Sequence, residues 1–92
     1  MSQPTSRQAY ELILEDLGDR QKTVYNTIYF NPGFCNSEIA SRLGWSINKI
    51  TPRVLELREM GLVEHLGFKV VNGRRSMTWH ASSKETQKEV DI

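Results

Sequence analysis

The stretch from Asn36 to Met60, NSEIASRLGWSINKITPRVLELREM, constrains this chain more than any other. Ile39, Ala40 and Leu43 recur at helical spacing and share one apolar face. Gly44 follows directly, where a helix end favours a residue that tolerates positive φ. Ser46 offers a hydroxyl to cap a new helix. Ile47, Ile50, Val54 and Leu57 then recur at steps of three and four, which gives that second helix a buried stripe. Only Gly44-Trp45-Ser46 lies between the two helices, so they must cross steeply. An ordinary αα-hairpin would satisfy the same apolar pattern. Small Ala40, Gly44 four residues on and Ile50 six further narrow it to the spacing of a helix-turn-helix.

Ninety-two residues with 38% hydrophobic content make one small domain with a modest core. No apolar run approaches a membrane span, and no basic-then-apolar leader opens the chain, so a soluble cytoplasmic protein is the default expectation. The single Cys35 can form neither an internal disulfide nor a metal site alone, and is expected to pack as a small apolar residue.

Net charge is only +1, but its distribution is uneven. Arg7 against Glu11, Glu15, Asp16 and Asp19 leaves residues 1–19 at −3. Arg20, Lys22, Arg42, Lys49 and Arg53 against Glu38 put residues 20–53 at +4. Residues 54–68 return to −2, and Lys69, Arg74 and Arg75 bring residues 69–76 to +3. Such asymmetry is expected when one face meets phosphates and the other does not.

Residues 1–6 are expected to be flexible, residues 7–81 to form the domain, and residues 82–92 (SSKETQKEVDI) to be a flexible tail without an apolar stripe. Ser6 can cap a first helix running to about Leu17, with Tyr10, Ile13, Leu14 and Leu17 inward and Gly18 ending it. Asp19 can cap a second helix from Arg20 to about Phe30, with Val24, Tyr25 and Ile28 inward. Asn31-Pro32-Gly33 stops it, and Phe34 is expected to plug the core. The third helix begins at Asn36 or Ser37, with Asn36 favoured as its cap because Cys35 degrades the capping box.

Pro52 lies inside the fourth helix. With Ser46 as cap it is the sixth helical residue and leaves the Asn48 carbonyl without its helical partner. A start nearer Asn48 would bring Pro52 close to the first turn, at less cost. Gly61 ends the helix.

Leu62 to Leu66 reads as a strand. Asn72-Gly73 is a type I′ hairpin signal. Centring the hairpin there pairs Val71 with Arg74, Phe68 with Met77, Leu66 with Trp79 and His65 with His80. Leu66, Phe68, Met77 and Trp79 then share one face over the helices. The order is α-α-α-α-β-β, mainly α with a small hairpin (α+β).

A helix-turn-helix followed by Gly-Leu-Val and a basic hairpin resembles the winged-helix family, most nearly its MarR-type and small phage-encoded members. The residues that carry the resemblance are NSEIASRLGW, ITPRVLELREMGLVE and the wing VVNGRRSMTW, with LGDRQKTVYNTIYFNPG fitting the helix behind the motif. Together they cover roughly residues 17 to 80. The resemblance implies a second motif helix in the DNA major groove and a wing along a neighbouring backbone or minor groove. It also implies a short strand after the first core helix, for which only Phe34-Cys35 leaves room.

On that reading Asn48, Lys49, Thr51, Pro52 and Arg53 share the exposed front of the fourth helix. Asn can pair with adenine, Thr can meet a thymine methyl, and Lys or Arg can pair with guanine or phosphate. A solvated helix face carrying ordinary charges is the plain alternative. Asn72, Arg74 and Arg75 sit at the hairpin tip with Lys69 close by, placed for backbone contact or, more simply, for protecting the hairpin from aggregation. Ser37, Arg42 and Ser46 can reach phosphates, and Trp45 is expected to pack. One chain offers few contacts, so a homodimer or tandem binding is expected.

His65 and His80 facing across the hairpin make two ligands, not a metal site. No phosphate loop, dinucleotide loop or nucleophile motif occurs, so no enzyme and no cofactor are expected. The expected function is sequence-specific binding of double-stranded DNA by a small transcriptional regulator. The rival is a winged-helix protein-interaction module, favoured by the near-neutral charge and by Tyr10 and Tyr29 as a dimer surface. A left-handed-DNA reader is disfavoured because the wing lacks prolines.

Overall fold

Apolar residues at helical spacing produce four helices, and the Asn-Gly hairpin follows them. The computed structural model describes residues 6–82, with side chains from Tyr10 onward. The expected flexible ends therefore lie, save Ser6 and Ser82, outside the described residues. Helix α1 is Ser6–Glu15, α2 is Asp19–Phe30, α3 is Asn36–Leu43 and α4 is Ile47–Glu59. Strands β1 (Phe34–Cys35), β2 (Val63–Val71) and β3 (Arg74–Ala81) form one antiparallel sheet in the order β1-β3-β2.

The core gathers the stripes foreseen from periodicity, except that Ile47, expected in the buried stripe of the fourth helix, is 43% exposed. Val24, Tyr25 and Ile28 of α2, Ile39 and Ala40 of α3, and Ile50, Val54 and Leu57 of α4 are buried together with Leu17, Val63 and Trp79. Each large side chain so buried contributes about 1.5–3 kcal/mol of transfer free energy. Tyr10, Ile13, Leu14, Phe34 and Trp45 pack on its edge, as expected. Cys35 is buried as a small apolar residue. Among the described residues no helix is long and apolar enough to cross a membrane.

Helix ends differ from expectation in three places. Helix α1 stops at Glu15, and two short turns (Asp16 N–H to Ile13 O, 3.1 Å; Leu17 N–H to Leu14 O, 3.2 Å) still deliver Leu17 to the core. Gly18, not Asp19, is the cap of α2, in extended conformation. The Gln21 side chain accepts its N–H at 3.0 Å. Cys35, not Asn36, caps α3. The Glu38 carboxylate accepts the Cys35 N–H at 3.0 Å, so the returning arm of the capping box survives the missing Thr. Asn36 is instead the first helical residue, and its Oδ1 accepts the Trp79 indole N–H at 2.9 Å.

Two helix exits follow the glycine rule. Gly44 has φ 69° and Gly61 φ 78°. Beyond each glycine the next N–H closes on the helix: Trp45 to Ala40 O at 3.0 Å and Leu62 to Leu57 O at 2.9 Å. The first fixes the turn between α3 and α4, and the second aims the chain into β2.

The hairpin turns at Asn72 and Gly73, both with positive φ, 53° and 76°. Val71 pairs with Arg74 and Phe68 with Met77, as the sequence suggests. Beyond that a bulge between His65 and Gly67 shifts the register, so His65 opposes Trp79 and Glu64 opposes His80. A bulge places one residue more on one strand than on its partner. Here it removes the expected Leu66–Trp79 and His65–His80 pairs. Met77 and Trp79 pack on the core, whereas Leu66 and Phe68 stay about half exposed. His80 Nε2 lies 3.5 Å from Glu64 instead. The added strand β1 pairs Phe34 with Trp79 and Cys35 with Thr78, in the room the resemblance required.

Candidate nucleic-acid interface

Helix α4 has three exposed sectors, and they follow from ~100° of rotation per residue. Ile50, Val54 and Leu57 point into the core. Asn48 and Pro52 lie opposite them, fully outward. Ile47 and Thr51 flank one side and Lys49 and Arg53 the other. Ser46 caps the helix with extended backbone, and its hydroxyl makes no capping bond. Pro52 is therefore the sixth helical residue, and the helix runs on through it to Glu59.

The first flank faces the wing. Ile47 and Thr51 line a groove of about 500 Å³ together with Ser37 of α3 and Asn72, Arg74 and Met77 of the hairpin. The hairpin tip and the front of α4 thus open on one side of the molecule. Trp79, pinned by Asn36, forms part of the groove wall. Thr51 Oγ1 donates to the Ile47 carbonyl at 3.2 Å, and the residue is exposed.

The second flank faces α2. Arg53 is not open to solvent along its length. It donates from Nε and Nη2 to the two Glu56 carboxylate oxygens at 2.8 and 2.9 Å. Gln21 of α2 donates to Glu56 Oε1 at 2.9 Å. Arg53 and Glu56 line a second, more open depression with Gly18, Asp19, Arg20 and Gln21. Arg53 first, then Gln21, holds the Glu56 carboxyl below its ordinary range.

Lys69 has a similar commitment. Its ammonium donates to both Glu38 oxygens at 3.0 and 3.1 Å, tying β2 to the start of α3. Burial pushes the Glu38 carboxyl up, but the Cys35 amide and the Lys69 ammonium outweigh it and hold it below the usual carboxylate value. Arg75 lies over the Phe68 ring at 4.1 Å and is exposed, as is Arg74. Lys49, Asn48, Ser46, Ser37 and Arg42 are also exposed.

The structure sorts the twelve residues to which the sequence points, with Arg75 exposed on the wing over Phe68. Ser37, Thr51, Asn72 and Arg74 line one groove, while Asn48 and Pro52 on α4 and Ser46 at its cap are exposed outside that lining. Lys49 and Arg53 sit on the far flank. Arg42 stands apart at the last turn of α3. Lys69 and Arg53 carry internal partners. Glu38, Glu56, Gln21 and Asn36, which set these positions, carry no signal of their own as site residues. The spacing of Arg53 and Glu56 at i,i+3 is the one hint available from sequence. Among the described residues no group of three metal-ligating side chains occurs.

Comparison with known proteins agrees with this fold. The family model described as winged helix-turn-helix DNA-binding matches residues 17–64. The crystal structure of Streptococcus pneumoniae FabT in complex with DNA superposes with TM-score 0.61 at 16% identity, covering 83% of this chain and 52% of that one. MarR from Listeria monocytogenes 4b F2365 gives 0.62 at 24%, covering 86% and 50%. The PcaV transcriptional regulator of Streptomyces coelicolor gives 0.62 at 22%, covering 92% and 65%. The chain spans about half the length of the first two. No curated protein sequence matches it.

Proposed function

From a chain that belongs to the winged helix-turn-helix DNA-binding family, we propose sequence-specific binding of double-stranded DNA, in the service of transcriptional regulation. The observation that carries the reading is the shared groove: Thr51 of α4 and Asn72 and Arg74 of the wing line one opening. A helix seated in a major groove with a basic hairpin beside it contacts bases and backbone at once. The DNA complex of the structurally similar FabT supports the same use of the fold.

Asn48 and Thr51 are the base readers, an amide for adenine edges and a methyl for thymine. Lys49 meets a guanine edge or a phosphate from the α2 flank. Arg74 and Arg75 hold the backbone from the wing, and Ser37, Ser46 and Arg42 add phosphate contacts. Arg53 contributes under the restraint of Glu56. Lys69 acts indirectly, by fixing the wing against α3. Two copies are needed for useful affinity, reading half-sites about 34 Å apart.

Selection from a random duplex pool, followed by sequencing of the bound fraction, tests the proposal. Enrichment of a short motif is expected. Binding without enrichment would leave only non-specific attraction and contradict it.

One observation favours a second reading, a protein-interaction module. Tyr10, Tyr29 and Phe30 cluster at the α1–α2 end in tilted and edge-on contacts with centroids 4.4 to 5.8 Å apart, and Phe30 is 63% exposed. Association through such a surface would be nearly indifferent to salt, whereas DNA binding falls steeply with it.

A further inference from the structure

Arg53 stands on the helix expected to enter the groove, yet its charge is already answered. Its guanidinium uses Nε and Nη2 on Glu56, in the two-bond geometry that gives a carboxylate–arginine pair its direction. Glu56 does not move freely to make this pair. The Gln21 amide, on another helix, donates to the same carboxylate. The link spans α2 and α4, so the rigid core that orients α4 also orients the arginine. The side chains of Arg53 and Glu56 are 24% and 38% exposed, within reach of solvent and of a ligand at the surface. Arg53 keeps its Nη1 donors for another partner.

Two consequences follow for a DNA-binding surface. A paired arginine adds little to the sequence-independent attraction of phosphates, which scales with the cations that displace counterions. It still presents a fixed pair of donors, the kind of group that reads a base edge. Lys49, on the same flank, is exposed and free to serve phosphate.

We infer that Glu56, buttressed by Gln21, is a specificity-determining residue that restrains Arg53, lowering affinity for unrelated DNA while leaving the arginine aimed. The inference rests on the DNA-binding reading and concerns how the surface discriminates. Removing the carboxylate frees the arginine to swing onto the nearest phosphate.

The test is a double-mutant cycle with Glu56→Gln, Arg53→Ala and the double variant, each titrated with an unrelated duplex and with a selected one over a range of salt. Circular dichroism and melting establish that each variant folds, and Gln21→Ala serves as a milder release of the same carboxylate. Glu56→Gln is expected to tighten binding to unrelated duplex about fivefold at 0.1 M salt. Its salt slope should steepen by about one, as for one added phosphate contact. The ratio of selected to unrelated affinity should fall. In the Arg53→Ala background the same substitution should do little.

Three results overturn the inference. A gain that persists without Arg53 would mean that Glu56 acts only as a negative charge. Unchanged or weaker unrelated binding in a folded Glu56→Gln protein would remove the restraint altogether. A wild-type chain that binds no duplex at low salt would sink the DNA reading itself, a different failure from either of the others.

Discussion

Glu38 shows how much one side chain can settle. It accepts the Cys35 amide at the start of α3 and the Lys69 ammonium from β2, so one carboxylate fixes a helix cap and the wing. Its pKa is depressed below the ordinary 4.5. A carboxylate of that kind adds stability above its unfolded-state value and loses it as pH falls through the folded one. Stability is therefore expected to drop as pH falls below about 4.5, the ordinary value. Glu38→Gln should cost about 1 kcal/mol at neutral pH, the scale of a lost cap. The gap between variant and wild type should narrow as pH falls below 4.5 and close only once the depressed Glu38 carboxyl is protonated. Urea midpoints across a descending pH series measure this, and a gap that does not shrink would refute it. Lys69 read as a wing cation from sequence because its partner lies 31 positions away, across a strand pairing that no local pattern reveals. Arg74 has no such partner among the described contacts. Arg74→Ala should weaken all duplexes alike and reduce the salt slope by about one. Asn48→Ala should instead cost about 1–3 kcal/mol on the preferred sequence only. Titration against both duplexes distinguishes the two behaviours.

At the scale of elements, α4 decides most. Its buried stripe of Ile50, Val54 and Leu57 was legible because burial leaves a period in the sequence, though the same period also drew in Ile47, which is exposed. Leu57→Ala is expected to cost about 2–5 kcal/mol, measured by chemical denaturation. Pro52 could not be placed from sequence, since its cost depended on which residue capped the helix. With Ser46 as cap it sits in the interior and deprives the outward Asn48 carbonyl of a helical partner. Pro52→Ala should therefore raise stability, by up to about 3 kcal/mol, visible as a higher Tm. Its effect on DNA binding reports whether the proline shapes the reading face. The wing divides in the same way. Asn72-Gly73 announced the turn and the first pairs beside it, because a type I′ turn fixes local register. The bulge at Leu66 carries no such signature, and one extra residue moved every pair beyond it by one place. The caps of α2 and α3 were misplaced by a single residue each, because a side chain two or three positions on can satisfy the cap as well as the cap residue itself.

Over the whole molecule, a nearly neutral chain presents its cations unevenly. Lys49 on α4, Arg74 and Arg75 on the wing and Arg42 at the end of α3 are exposed, while Arg53 and Lys69 are tied into the scaffold by carboxylates. The sequence counted all six as one basic surface. The fold leaves four of them exposed and uses the other two to hold α4 and the wing in place. Affinity per chain should consequently be modest, and discrimination should depend on a second copy at a neighbouring half-site. The salt dependence of duplex binding by the wild-type protein is the most direct test of DNA binding through these cations. The logarithm of the binding constant should fall with the logarithm of salt concentration with a slope between about −2.7 and −4.5 per chain, as three to five phosphate contacts require. A slope near zero, or no binding at low salt, would contradict it.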